Sequence, residues 1–224
     1  MTINCKGNLI DFSSPKVMGI LNITPDSFYD GGLYRSEKEI LLQTEKMLSE
    51  GATFIDVGAY SSRPGAQHIS ENEELERIIP VVQLLVKQFP EIIISIDTFR
   101  SSVAKETIEI GASLINDISG GTLDKKMFEM VSSLEVPYIL MHMKGTPQNM
   151  QEKPSYRNVT TELISFFAEQ IFKLQQLQHK DIIIDVGFGF GKDVDHNYQL
   201  LKDLALFKNL EAPILAGISR KSML

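Results

Sequence analysis

The sequence predicts an α/β fold, a (β/α)8 TIM barrel, with the chain ending after about the seventh strand. Three observations predict it. Short β-branched runs recur along the chain, and such runs belong to parallel strands buried on both faces. Helix-length amphipathic stretches alternate with them, as the crossovers of a parallel sheet require. Five of the apolar runs also stop at polar residues: 17–21 at Asn22, 54–55 at Asp56, 92–96 at Asp97, 113–115 at Asn116 and Asp117, and 181–184 at Asp185. In a barrel, that end of the strands is the rim where loops build a site. Five such run ends imply a polar pocket for a hydrogen-bonding ligand. An open doubly wound sheet is the alternative, but polar residues at the ends of nearly every strand favour closure.

Each element follows from local chemistry. After the first run, Ser36 caps a helix to about Glu50, with Glu39 completing a capping box and Gly51 stopping it. The second strand, at 54–57, leads through a loop to a helix from about Ser70 to Gln88. The third strand, at 92–96, is followed by a helix at 101–110 that Gly111 closes. A fourth strand at 113–118 has a helix at 124–133 behind it, and a fifth at 137–142 precedes a long amphipathic helix at about 159–178. A sixth strand at 181–186 has its helix at 194–206, and the seventh lies at 213–218. Regular alternation of this kind winds right-handed.

Composition fits one enzyme domain over residues 1–224. The chain is 43% hydrophobic and 23% charged, enough for a substantial core at this length. A net charge of −7 argues against a nucleic-acid or membrane-surface binder, which needs surplus Lys and Arg for phosphates. The lone Cys5 excludes an intrachain disulfide and a Cys-based zinc cluster, and fits a reducing cytoplasm. The N-terminus has no apolar signal core, and no run approaches the ~18 apolar residues of a spanning helix.

The loops carry a resemblance. In order, they read Asn22-Ile-Thr-Pro-Asp-Ser-Phe-Tyr-Asp-Gly-Gly32, Ser61-Ser-Arg-Pro-Gly65, Ser95-Ile-Asp-Thr98, Asn116-Asp-Ile-Ser-Gly-Gly121, Met141-His-Met-Lys-Gly-Thr-Pro147, Asp185-Val-Gly-Phe-Gly-Phe-Gly-Lys192 and Gly217-Ile-Ser-Arg-Lys221. Together they resemble the ordered signatures of the dihydropteroate synthases, across nearly the whole chain. Three positions depart from that pattern: Ala59-Tyr60 replaces the usual Gly-Glu, Ser62 stands where Thr is commoner, and Val186 where Pro is commoner. Ser62 keeps the hydroxyl, and Asp185 itself is retained.

The resemblance implies a transferase of folate biosynthesis that joins 6-hydroxymethyl-7,8-dihydropterin pyrophosphate to 4-aminobenzoate. A pterin presents adjacent N–H donors, which suit a carboxylate accepting two bonds side by side. Asp185 is assigned to that edge, Asn116 and Asp97 to the other ring, and Lys221 to the carbonyl oxygen and N5. Asp97 and Asp56 are placed to stabilise positive charge on the pterin methylene as pyrophosphate departs. By resemblance, Asn22 helps hold Mg²⁺ on the pyrophosphate. Phe28 and Asp30 close over the second substrate, Arg63 between Ser62 and Pro64 meets a substrate anion, and Phe190 and Ser219 belong to the aminobenzoate side. A homodimer is also implied.

Blander readings stand beside these. Asp97, Asp185 and Asn116, taken singly, read as strand-end caps or loop formers. Residues 22–26 read as a turn, since Pro and Asp favour turns. The glycines of 187–191 fit neither a Rossmann fingerprint nor a P-loop and read as a tight rim turn, while Arg220 reads as structural. His68, His179 and His196 read as surface residues, and His142 as either a pocket contact or a hydrogen-bonded structural residue. The acidic run at 71–76 reads as ordinary charge at a helix N-terminus. A pterin-binding methyltransferase domain and a non-catalytic pterin-binding homologue share the Asp/Asn pocket. Neither accounts for Ser61-Ser-Arg-Pro64 and Gly217-Ile-Ser-Arg-Lys221 together. Only Ser222-Met-Leu224 follow Lys221, so the expectation is a barrel lacking its last helix–strand–helix.

Overall fold

The computed structural model describes residues 1–23, 37–61, 68–150, 154–219 and 221. The chain opens with an antiparallel hairpin of β1 (Thr2–Cys5) and β2 (Asn8–Asp11). It turns through Lys6 and Gly7, both at positive φ, the geometry that matches the twist of a two-residue hairpin loop. Seven parallel strands then pair strictly in chain order: β3 (Met18–Asn22), β4 (Phe54–Gly58), β5 (Ile94–Asp97), β6 (Leu114–Asp117), β7 (Tyr138–Met141), β8 (Ile182–Asp185) and β9 (Ile214–Leu215). Among the described residues, β3 and β9 are the two ends of this sheet and do not pair with each other. The architecture is a curled, seven-stranded part of a TIM barrel. Ile20, on the edge strand β3, is 61% exposed.

Among the described residues, six helices flank the sheet: α1 (Glu37–Ser49), α2 (Glu71–Gln88), α3 (Ser101–Glu109), α4 (Met127–Ser133), α5 (Val159–Gln176) and α6 (Val194–Lys202). A 3-10 turn at Leu204–Leu210 replaces the last part of the expected sixth helix. Ser70 caps α2 by accepting from the Glu73 N–H, and Asn158 caps α5 through the Thr161 N–H. Such caps satisfy first-turn amides that have no partner within the helix. Asp193 and His196 form a reciprocal box at the start of α6. The Ser36 cap expected for α1 lies outside the described residues.

Among the described residues, three apolar clusters hold these elements, the third being a small group of Ile118, Met141, Met143 and Met150 against which Phe99 and Phe190 pack. The largest lies between strands and helices and includes Val57, Ile78, Leu85, Ile96, Val103, Ile115, Tyr138, Leu163, Phe167 and Ile184. Each aliphatic or aromatic side chain fully buried there contributes about 1.5–3 kcal/mol. The second joins Ile3 and Cys5 of the hairpin to Phe54, Leu114, Ile139 and Ile183 at the starts of β4, β6, β7 and β8. The hairpin therefore closes the N-terminal end of the sheet, leaving the C-terminal end for polar chemistry. His179 is corrected here: it is 5% exposed, not a surface residue, because it follows α5 directly and folds back so that its N–H reaches the Leu174 carbonyl.

Candidate active site

Strand register brings the polar residues to one level. Asn22 pairs with Gly58, Gly58 with Asp97 and Asp97 with Asn116, forming a continuous rung across β3 to β6. Two residues earlier on its strand, Asp56 pairs with Ser95. Side chains alternate along a strand, so Asp56 and Gly58 share a face. Asn116 Nδ2 reaches over to Asp56 Oδ2 at 3.0 Å. One strand, β5, lies between β4 and β6, so this bond crosses over β5. Gly58 keeps the space open: a Cβ there would stand 3.2 Å from Asp97 Oδ2 and 3.4 Å from Asn22 Oδ1.

Several polar atoms of this face lack well-aligned partners. Among the described residues, Asp56 Oδ1, Asn116 Oδ1 and Ser95 Oγ are buried without a well-aligned hydrogen bond, although Ser95 lies close enough to Asp56 to lower its carboxyl. Buried polar groups are nearly always satisfied, so three orphans on neighbouring strands point to a missing ligand or water. Burial raises the Asp56 and Asp97 carboxyls, and Asp97 is driven further by the charges of Asp56, Glu74 and Asp117. Asp117 is a different case. It accepts from Tyr138 Oη, the Ser119 N–H and hydroxyl, and the Gly121 N–H, so it is consumed in holding the loop after β6.

Asp185 ends β8 at 7% exposure. Its Oδ1 accepts from the Gly187 N–H at 2.8 Å. Burial pushes its carboxyl up to about 6, against the pull of that N–H, Lys192 and Lys221. The glycine loop beyond it sits hard against the segment after β7. A Cβ on Gly187 would fall 2.2 Å from the His142 carbonyl oxygen, and one on Gly191 2.7 Å from that of Lys144. Only glycine allows so close an approach together with φ values of 66° and 62°. The loop carries Phe190, half-buried, beneath Lys221, whose Nζ lies 4.2 Å from the ring centroid. Burial lowers the Lys221 amine, and Asp185 opposes that shift.

Not every residue named from the sequence meets here. Asn22, Asp56, Asp97 and Asn116 occupy the β3 to β6 face, while Asp185, Phe190 and Lys221 gather at β8 and beyond. Ser219 is exposed. Phe28, Asp30, Ser62, Arg63, Pro64 and Arg220 lie outside the described residues. Sequence reasoning missed Ser95, whose hydroxyl reads as one more polar residue inside a strand. It also missed the buried support of Asp97. Glu74 is fully buried, not part of a solvated helix start; it pairs with Arg100 and accepts from Thr98 Oγ1 at 2.7 Å. Tyr60, at a departing position, packs edge-on against Phe99 and accepts from Gln148 Nε2 at 2.7 Å. His142 is buried and held down to about 3 by burial first and then by Lys192.

Parallel strands with buried polar residues at their C-terminal rim are the arrangement in which barrel enzymes build their sites. The pterin binding enzyme family model matches residues 18–224. Dihydropteroate synthase from Escherichia coli K12 is 44% identical over 226 residues, covering 100% of this chain and 79% of that protein. The counterpart from Haemophilus influenzae is 42% identical, covering 100% of this chain and 82% of its own. The Yersinia pestis dihydropteroate synthase, solved with a sulfonamide drug complex, superposes with a TM-score of 0.92 at 43% identity, over 100% of this chain and 81% of that one. The Xanthomonas albilineans dihydropteroate synthase with 4-aminobenzoic acid gives 0.89 at 38% identity, over 99% and 79%. This chain belongs to the pterin-binding enzymes and, within them, to the dihydropteroate synthases. No helix among the described residues is long and apolar enough to cross a membrane.

Proposed function

We propose that this chain condenses 6-hydroxymethyl-7,8-dihydropterin pyrophosphate with 4-aminobenzoate, giving 7,8-dihydropteroate and pyrophosphate. One observation carries the reading: the orphan oxygens of Asp56, Ser95 and Asn116 beside Asp97, on the concave face of a pterin-family barrel. A pterin supplies donors and acceptors to such a set. Asp185 takes the adjacent N–H donors of the pyrimidine edge, with Asn116 and Asp97 on the other ring and Lys221 at the carbonyl oxygen and N5. The carbon–oxygen bond to pyrophosphate breaks with its electron pair leaving on the phosphate. Asp97 and Asp56 stabilise the positive charge left on the methylene. The aromatic amine of aminobenzoate then forms the carbon–nitrogen bond and loses a proton to pyrophosphate or water.

Aminobenzoate is assigned to Phe28, Asp30, Ser62, Arg63, Pro64, Phe190 and Ser219. The half-buried Phe190 ring supports an apolar wall there. Mg²⁺ is the proposed cofactor. Asn22 Oδ1 borders the space that Gly58 leaves open, a neutral oxygen donor of the kind Mg²⁺ takes alongside phosphate oxygens. When bound, the ion would neutralise charge on the departing pyrophosphate. A cytoplasmic homodimer completes the proposal, supported by the single cysteine and by family resemblance. Pyrophosphate release with both substrates, measured by a coupled assay, tests the reaction. Release without aminobenzoate, or none with it, overturns it and favours a pterin-binding domain of another kind.

A further inference from the structure

The glycine loop after β8 closes around one side chain that the reaction leaves unused. Lys192 is 3% exposed, yet it carries an amine. Its Nζ lies 2.9 Å from the Phe190 carbonyl oxygen, 3.0 Å from that of Gly187, 3.1 Å from that of His142, and 3.2 Å from His142 Nδ1. Three carbonyl oxygens converge on the amine, and His142 Nδ1 is a fourth neighbour whose donor or acceptor role follows its tautomer. Burial lowers the amine to about 7, against the attraction of Asp185.

The acceptors belong to two different rim segments. His142 follows β7, whereas Gly187 and Phe190 follow β8. Without Lys192, the His142 and Phe190 carbonyls would lose this donor, while the Gly187 carbonyl would keep only the Phe190 N–H at 3.1 Å. The outer side of the loop is tied separately, by Gly189 N–H to Asn197 Oδ1 at 2.9 Å and by Tyr156 Oη to the Gly191 carbonyl at 2.8 Å. Those ties fix the loop's distance from α5 and α6. They do not fix the peptide plane of Phe190, which Lys192 grips directly.

We propose that Lys192 is a positioning residue that clamps the β7 and β8 rim segments together and so sets the Phe190 ring against Lys221, fixing the wall met by the aromatic amine substrate. This rests on the functional reading above. Pterin recognition rests on Asp185, which has its own Gly187 N–H, and on Asn116 and Asp97 on other strands. Lys192 touches it only through its charge, which favours ionised Asp185 and matters little above the range where Asp185 titrates. Loss of Lys192 therefore weakens aminobenzoate far more than pterin. A residue serving only fold stability would weaken both alike.

Two variants of the 224-residue chain test this. K192M removes every donor. K192R keeps the charge but replaces a compact ammonium with a planar fork that cannot meet the same converging acceptors. Calorimetry first titrates 6-hydroxymethyl-7,8-dihydropterin, then 4-aminobenzoate onto protein saturated with that pterin, Mg²⁺ and pyrophosphate. At pH 8, where Asp185 is ionised, both variants should hold pterin within about threefold of wild type and lose about tenfold or more in aminobenzoate affinity, as small misplacements do. Unchanged aminobenzoate affinity in either folded variant overturns the proposal, as does equal loss of both ligands. Full recovery in K192R also overturns it, because charge rather than placement would then be at work. If K192M fails to fold, K192R is judged by the same criteria; if neither folds, Lys192 holds the barrel and the proposal falls. A wild-type chain that takes no aminobenzoate overturns the functional reading as well, which separates the two failures.

Discussion

Replacing Asp185 with Asn isolates the contact on which the pterin assignment depends. The Gly187 N–H donates to Asp185 Oδ1, so an Asn at this position turns its carbonyl oxygen toward Gly187 to keep that bond. Its NH₂ group then replaces the second carboxylate oxygen, and a donor faces the donors of the pterin. Losing a charge-assisted, paired contact in a buried site costs about 2–5 kcal/mol, or roughly 30-fold to several thousandfold in affinity.

Stability should move the other way, which keeps the measurement interpretable. Burial raises the Asp185 carboxyl to about 6 from its ordinary value of 3.8. A raised carboxyl contributes stability that is fully present below the unfolded value and lost as pH rises through about 6. At pH 8 the buried charge costs on the order of 1–3 kcal/mol, a cost that the neutral amide removes. D185N should therefore melt at or above the wild-type temperature while binding pterin far more weakly. Calorimetry at pH 8 reads the affinity, and a thermal scan reads the fold. Unchanged pterin affinity in a folded D185N chain would refute the assignment, whatever the activity.

Four further outcomes follow from the same geometry. Since Asp185 offers a charged pair of acceptor oxygens only when ionised and titrates at about 6, pterin affinity should fall about tenfold between pH 7 and pH 5; a flat calorimetric profile over that range would count against it as the acceptor. Aminobenzoate or a sulfonamide should bind weakly to the free chain and tightly with pterin and pyrophosphate present, because the first substrate completes the second site; equal affinities would sink the idea. Asn22→Ala should weaken Mg²⁺-dependent pyrophosphate binding by about tenfold, one lost oxygen ligand, with pterin affinity kept, as titration with and without Mg²⁺ would read. Arg100→Met strands the fully buried Glu74 and should cost about 3–5 kcal/mol, lowering the melting temperature by about 10 °C for a chain of this size; a midpoint within experimental error of wild type would show that Glu74 gives up its charge freely.

Elements that announce themselves locally were legible in the sequence, and partners brought together by folding were not. All seven parallel strands were readable because each is a short apolar run, and in five the run stops at a polar residue that the rim loop needs. Their true ends fall a residue or two from the pattern, and three for the seventh, whose ladder stops at Leu215 rather than at 218. The N-terminal hairpin went unread: two four-residue strands around Lys6-Gly7 are too short for alternation to rise above chance, although the positive-φ turn was a usable signal. Asp56, Asp97, Asn116 and Asp185 could be named because strand-end position alone puts them on the rim. Whether each is free for a ligand depends on what it faces, and Asp117, a neighbour of equal promise, is fully engaged by Tyr138, Ser119 and Gly121. Glu74 and Arg100 lie 26 residues apart and Lys192 and His142 50 apart, and neither pair follows a helical or strand period. Their burial needs the barrel already formed, so a one-dimensional pattern reads Glu74 as helix-start charge and Lys192 as the end of a glycine loop. The supporting shell of this site is therefore written in its topology, while the groups offered to ligands are written at the ends of its strands.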